Sequence, residues 1–444
     1  MDQALQKSIG VIQGRQAAEI TASVEAAIRD GELSPGDLLP TVRALASALR
    51  VSPTTVSSAY RELRGRGLLV TEGRRGTRVS PAPPVMAPAA APLPAGTLDL
   101  ASGNPDPALL PRLGPFLAKL DPEPHLYAEQ VHLPELIELA EARLRADGVP
   151  YPAVSVVSGA LDGIERVLLA HLRPGDRVAV EDPGFGGVYH LLRAMGHPVE
   201  PIALDDDGAL PDALERAIAR GARAVVLTPR AQNPTGAAFT PDRVTELQTI
   251  LDRHPEILII EDDHNAEASG AAAATLCRDS TPRFAVVRSV SKTLGPDLRL
   301  AILAGDRETI ARVEGRQLLG SRWVSHLLQH LVVRLWKDRG VTRLVARAEK
   351  TYTARREALL AALADRGLPA HGRSGMNVWV PVVEETTAVQ QLLARGYAVR
   401  AGESYRLLSS PALRLTTAAL PTEEAPRVAE ALAAAGAAPL THGT

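Results

Sequence analysis

The lysine in the string Ser289-Val290-Ser291-Lys292 has the most chemistry to offer. It follows a run of β-formers, FAVVRS, so the pattern sets it just past a buried strand. Burying an ammonium is costly. A lysine held there with a lowered pKa is a nucleophile that can form a Schiff base with an aldehyde cofactor. Its companions strengthen that reading. Asn233-Pro234-Thr235-Gly236 follows the apolar run AVVLTP, and Glu261-Asp262-Asp263 follows ILII. An acid at that place can pair with a protonated pyridine nitrogen and so strengthen a cofactor as an electron sink. Asp262 and Asp263 are adjacent, and either can serve. Arg299 lies seven residues after the lysine and can bind a phosphate. Ser158-Gly159-Ala160-Leu161 opens a helical pattern, where free backbone N–H groups suit an anion. Taken singly, these residues have ordinary explanations. Asp262 alone reads as an N-cap or ion-pair residue, Arg414 as a solvated edge and His264 as structural. Their order and spacing point to one site.

The elements that must position them alternate. Short β-rich runs occur at 154–158, 177–181, 199–203, 223–228, 257–262, 284–289 and 299–304. Helical patterns separate most of them, as at 211–220 and 241–254. Seven strands with interposed helices predict an α/β body with a mostly parallel, doubly covered sheet. Ligands bind such sheets at the carboxyl ends of the strands, where the polar residues above fall.

Upstream, residues 81–96 read PAPPVMAPAAAPLPAG, with six prolines and no charge. Such a strip reads as a semi-rigid linker reaching about 50 Å when extended. It separates a head, 1–80, from the body, 98–444. The head carries 11 Lys/Arg and 8 Asp/Glu, net +3, inside a chain of net −2. A mildly basic head on an acidic body is compatible with contact to phosphates. Within the head, Ile20, Val24 and Ile28 recur on one face of a helix at 16–30, with Gly31 past its end. SPGDLLP turns into a short helix that Thr41 can cap. Ser52-Pro53 then opens a helix running TTVSSAYRELRGRG. LLVTEGRRGTRVS reads as two short strands around a basic turn, which completes a winged helix-turn-helix order.

Composition narrows the remaining classes. The single cysteine, Cys277, allows no internal disulfide and no thiolate metal site. The histidines show no metal-ligand spacing. No basic region followed by an apolar stretch opens the chain, and apolar runs such as 257–260 are too short to span a bilayer. A cytoplasmic location without membrane contact is the expectation.

The head resembles the GntR class of bacterial regulators through SPGDLLPTVRALASALRVSPTTVSSAYRELRGRGLL and the wing GRRGT. That resemblance implies a recognition helix at 52–65, with Arg43, Ser52, Thr54, Thr55, Arg74, Arg75 and Thr77 near DNA. Pro53 stands where relatives often carry arginine. The body, from about 98 to 435, resembles the fold-type I pyridoxal-phosphate enzymes, specifically class I/II aminotransferases. This implies a large subdomain at about 125–315 and a small one at about 316–444. It also implies Lys292 as the internal aldimine lysine and Asp262 as the partner of the pyridine nitrogen. Asn233 would hydrogen-bond the cofactor's phenolic oxygen. Gly159, Ala160, Leu161, Ser289, Ser291 and Arg299 would hold the phosphate, with Phe185 on the ring. Arg414, with Asn104, would take the carboxylate of an amino acid. His264 replaces a tyrosine common two residues after the pyridine-binding acid. Tyr127 resembles the tyrosine that reaches a neighbouring subunit's phosphate, although Ala128, His132 and Ile137 depart from the usual surroundings. A homodimer follows.

Head and body together resemble the MocR-type regulators. The implied function is transcription regulation, with double-stranded operator DNA as partner. The body would sense an amino acid or amine, or pyridoxal phosphate itself, through aldimine chemistry. Two further readings stand beside it. One is a working aminotransferase with a fused head, since Lys292, Asp262 and Arg414 are all present. The other is a repressor whose body only dimerises.

Overall fold

The computed structural model describes residues 10–65, 68–71, 76–80, 93–127 and 129–437. It falls into two compact units. One holds the described residues up to 80 with 174–177 and 189–199; the other holds 93–173, 178–188 and 200–437.

The head is built on three helices. Helix α1, Ala17–Arg29, starts with a reciprocal cap between Gln16 and Glu19 and buries Ile20, Val24 and Ala27. Helix α2, Val42–Leu49, is capped by Thr41, whose Oγ1 accepts from the Ala44 N–H at 3.2 Å. Helix α3, Pro53–Gly65, begins after Ser52, whose Oγ accepts from the Thr55 N–H at 3.1 Å. Proline at the first helical position loses nothing there, because that N–H has no intrahelical partner. Val56, Ala59, Tyr60 and Leu63 recur on one face of α3 and are buried. The Tyr60 hydroxyl donates to the Pro40 carbonyl at 2.9 Å, and burial raises its pKa. Strands β1, Leu69–Thr71, and β2, Thr77–Val79, pair antiparallel as the wing.

The body opens with β3, Leu98–Asp99, helix α4, Gly114–Leu117, and helix α5, Pro134–Ala146. Its main sheet follows. The strands are β4, Ala153–Val157; β5, Arg177–Asp182; β6, Val199–Asp205; β7, Gly208–Ala209; β8, Ala222–Leu227; β9, Leu258–Asp263; β10, Phe284–Ser289; and β11, Ala301–Gly305. They lie in the order β4-β11-β10-β9-β8-β5-β6-β7. Strands β8, β9 and β10 run parallel, while β11 is antiparallel to both β10 and β4. Every residue of β9, β10 and β11 is buried, and these strands carry the apolar runs LII, FAVV and AILA. Strands covered on both faces read this way. The sequence leads to seven strands and the sheet has eight. The extra one, β7, is a two-residue turn partner of β6, too short to carry a period. The helices between the strands are α6, Ala160–His171; α7, Gly186–Ala194; α8, Pro211–Ala219; and α9, Pro241–Leu251.

Beyond β11 come α10, Arg307–Leu318; α11, His326–Lys337; and the long α12, Arg339–Ala364. A second, three-stranded sheet follows. It consists of β12, Asn377–Pro381; β14, Arg400–Ala401; and β15, Ala412–Thr416, in the order β12-β15-β14. Helices α13, Glu385–Ala394, and α14, Ala425–Ala434, complete that layer. Its core differs from the expected 316–444. Leu331, Leu335 and Val341 pack with the main sheet, and the second core begins only at Leu359. It also takes in Leu100 from far upstream, because β3 pairs in parallel with β13, Tyr397–Ala398. Cys277 is buried, and no described helix is long and apolar enough to cross a membrane.

Candidate cofactor and ligand site

The carboxyl ends of the parallel strands open into a cavity of about 320 Å³. Lys292, three residues past β10, extends into it, and its Nζ donates to the Gly103 carbonyl at 2.8 Å. Burial, reinforced by the positive charge of Arg414 and only partly offset by Asp262, pushes its pKa down to about 8. More free amine is then present near neutral pH than an ordinary lysine offers, which favours its action as a nucleophile.

The two acids at the end of β9 are treated in opposite ways. Asp263 is gripped by Arg230, whose Nε and Nη2 donate to its two oxygens at 2.8 Å each. Arg288 adds a further bond at 2.9 Å, and both arginines also reach Asp147. Burial opposes ionisation of Asp263, but the Arg230 bonds and the charges of Arg288 and Arg230 outweigh it and hold its pKa below the ordinary value. Asp262 faces the cavity instead. Its Oδ1 is buried without a hydrogen-bond partner among the described residues, and its Oδ2 lies 3.8 Å from His264 Nδ1. Burial raises its pKa. A buried acceptor left unpaired is rare and calls for a donor the protein itself does not supply.

The same cavity is bordered by a turn whose groups suit an anion. Gly159, with φ +104°, ends the β4 turn just before α6, so the first N–H groups of that helix, at Ala160 and Leu161, border the cavity. Arg299, itself left-handed at φ +43°, folds over the turn, and its Nη2 donates to the Ser158 carbonyl at 3.2 Å. A Cβ on Gly159 would meet that Nη2 at 2.7 Å, so only glycine lets the guanidinium approach. Ser289 and Ser291 line the cavity as well, their hydroxyls 3.0 Å apart.

The remaining wall comes from both layers. Phe185, Asn233, His264 and Asn104 line it. Asn377 on β12 donates to Asn233 Oδ1 at 3.4 Å and accepts from Thr416 at 2.8 Å. Arg414 on β15 is 4% exposed, bonds the Ala101 carbonyl and lies 5.0 Å over the Tyr405 ring. Its Nε has no hydrogen-bond partner among the described residues. Ser102, Gly103, Ala231, Asn265, Met376, Asn377 and Tyr405 line the cavity too, beyond the residues the sequence points to. Ser102 and Gly103 immediately precede Asn104, a signal within reach. Asn265, Met376, Asn377 and Tyr405 belong to no motif.

Tyr127 stands apart from this cavity. It is 76% exposed, with its ring near Trp323, 5.7 Å between centroids, and Arg322, 5.1 Å from the ring centre. In the head, Arg43, Ser52 and Thr54 are exposed, and Thr55 and Thr77 are half-buried. Ser52 and Thr55 share a hydrogen bond of 2.8 Å as well as the helix cap. Arg74 and Arg75 lie outside the described residues.

Comparison with known proteins matches residues 95–432 to aminotransferase class I and II and residues 16–79 to the bacterial regulatory proteins of the gntR family. A vitamin B6 salvage pathway transcriptional repressor of Salmonella typhimurium, PtsJ, is 42% identical over 93% of this chain and 97% of its own. The pyridoxine biosynthesis regulator PdxR of Corynebacterium glutamicum is 27% identical, covering 78% of each chain. Among solved structures, the kynurenine aminotransferase of Pyrococcus horikoshii superposes with a TM-score of 0.70 at 21% identity, over 77% of this chain and 91% of its own.

Proposed function

Since the chain belongs to the MocR-type regulators, with a gntR-family head and an aminotransferase class I and II body, we propose that it is a DNA-binding regulator whose body senses a ligand at the Lys292 cavity. Pyridoxal phosphate is its cofactor. One observation carries the reading. A lysine with a lowered pKa and an unpartnered buried acid, Asp262, share a single cavity beside an anion cradle.

The residues fit the group. Asp262 Oδ1 would accept from the pyridine nitrogen, which explains why the protein leaves it unpaired. The N–H groups of α6 with Arg299, Ser289 and Ser291 would hold the phosphate. Asn233 and His264 would reach the phenolic oxygen, and Phe185 would cover the ring. When bound, pyridoxal phosphate supplies an aldehyde that condenses with primary amines and a ring that accepts electrons. Lys292 provides the resident amine. Arg414, buried and with a free Nε, would take the carboxylate of an incoming amino acid, with Asn104 beside it. Displacement of Lys292 by that ligand would be the signal. A second reading, that the cofactor itself is the signal, is favoured by the 42% identical relative named for vitamin B6 salvage. The protein would work as a cytoplasmic homodimer on double-stranded operator DNA. Tyr127, exposed on one protomer, would serve the partner's site.

The test is a visible absorbance spectrum with added pyridoxal phosphate, recorded alongside operator affinity while candidate amino acids are titrated. A band present in the wild type and absent in Lys292→Ala, shifting with the same ligand that alters operator affinity, is expected. No Lys292-dependent band would remove the sensing half of the proposal. Sustained turnover with a keto-acid acceptor would point to a working aminotransferase with a fused head.

A further inference from the structure

Away from the cofactor cavity, helix α12 carries Arg343, Arg347 and Lys350 along one exposed face. They line an open cleft of about 670 Å³, walled on the far side by Pro421, Thr422 and Glu423. At 1.5 Å per residue the three cations span about 10 Å. None of the three has a carboxylate within ion-pair distance among the described residues, whereas Arg355, farther along the same cleft, is paired with Asp106 at 2.9 Å. Glu423 is the one carboxylate among the lining residues, and its Oε2 already accepts from the Thr422 hydroxyl at 3.3 Å.

We propose that this row on α12 is a second nucleic-acid contact, binding the phosphate backbone of duplex DNA. This rests on the reading of the chain as a DNA-binding regulator. Three reasons favour a polyanion. Unpaired like charges at adjacent turns of a helix repel one another unless counter-charge is supplied. Duplex DNA supplies one negative charge per about 1.7 Å of axis, so a 10 Å row faces several phosphates. The exposed, single-file layout lacks the buried polar anchor that a small anion needs, while a backbone-tracking strip requires none. The residues outside the head carry a net charge of −5, so this contact is local rather than a general attraction.

The experiment measures operator affinity against salt for the full-length, cofactor-loaded protein, on DNA extending well beyond the head's site. Three proteins are compared: wild type, the neutralised triple variant Arg343→Gln, Arg347→Gln, Lys350→Gln, and the charge-keeping variant Arg343→Lys, Arg347→Lys. Each phosphate contact contributes about 0.9 to the slope of log affinity against log salt. The triple variant should therefore lose about 2.7 from the slope. Between 50 and 200 mM salt, the wild type should lose about 40-fold more affinity than that variant. The charge-keeping variant should follow the wild type. The Lys292-dependent absorbance band should be intact in all three, which reports that the body is folded. Operator binding with equal slopes in all three would overturn this inference alone. So would an affinity loss that is the same at every salt concentration, or one that the charge-keeping variant shares. A wild type that binds no DNA would overturn both this inference and the proposed function.

Discussion

Asp262 and Asp263 are neighbours in sequence, and by sequence alone either can pair with a pyridine nitrogen. The structure separates them by what they touch. Side chains of successive strand residues point to opposite faces, so one carboxylate enters the cavity and the other enters a cluster with Arg230, Arg288 and Asp147. That difference is legible only once the arginines, from two other strand ends, are placed. It leads to contrasting expectations. Asp263→Asn strips buried counter-charge from two guanidinium groups and should cost about 3–5 kcal/mol of stability. Asp262→Asn removes an unpartnered buried carboxylate and should leave the apoprotein as stable or more so, while weakening cofactor binding. Urea unfolding together with cofactor titration on both variants decides the matter. The reverse pattern would assign the pyridine to Asp263. The sign with pH follows. Asp263 holds its pKa below the ordinary 3.8. The unfolded chain therefore binds more protons as pH falls through that value, and the stabilisation, present above it, is lost on further acidification.

At the scale of elements, the central strands β9, β10 and β11 were readable because they are buried on both faces and carry the apolar runs LII, FAVV and AILA. The layer around β12 and β15 was less so. Its core joins Leu100 to Leu359 and beyond, and its one parallel pair links 98–99 with 397–398. No local period records such pairings. Met376, Asn377 and Tyr405 reach the cavity from this layer, which is why they escaped notice. The turn before α6 was legible, and it supports a prediction of its own. Gly159→Ala combines a positive φ with a Cβ set 2.7 Å from the Arg299 guanidinium. Gly221 has a similar φ of +91° and nothing within 4 Å. Gly159→Ala should cost about 1–3 kcal/mol, because φ +104° with ψ 172° is a backbone region essentially confined to glycine, and Gly221→Ala about 1–2 kcal/mol for its positive φ. Only Gly159→Ala should also displace Arg299 and lower cofactor affinity, by tenfold or more. Thermal unfolding and absorbance titration of the pair separate strain from binding. Equal cofactor affinities in the two variants would show that Arg299 is not part of the cradle.

For the whole molecule, the two halves were each recognisable in the sequence, but their coupling is a free energy and no motif encodes it. A ligand at the Lys292 cavity alters operator affinity only if it binds one arrangement of the molecule better than another. Linkage then fixes a second quantity. If the ligand changes operator affinity by some factor, operator DNA must change ligand affinity by the same factor. The size expected for such coupling is about 5- to 150-fold. The ligand-induced absorbance shift gives one arm of the comparison, titrated with and without a saturating operator duplex. Operator affinity measured with and without saturating ligand gives the other. Equal factors would establish that one equilibrium connects the cavity to the DNA-binding head. A ligand that shifts operator affinity while its own affinity ignores the operator would violate that cycle at equilibrium. Such a result would mean that the ligand is consumed, which is the behaviour of an aminotransferase and not of a sensor. No change in either arm would leave a body that binds its cofactor without reporting on it.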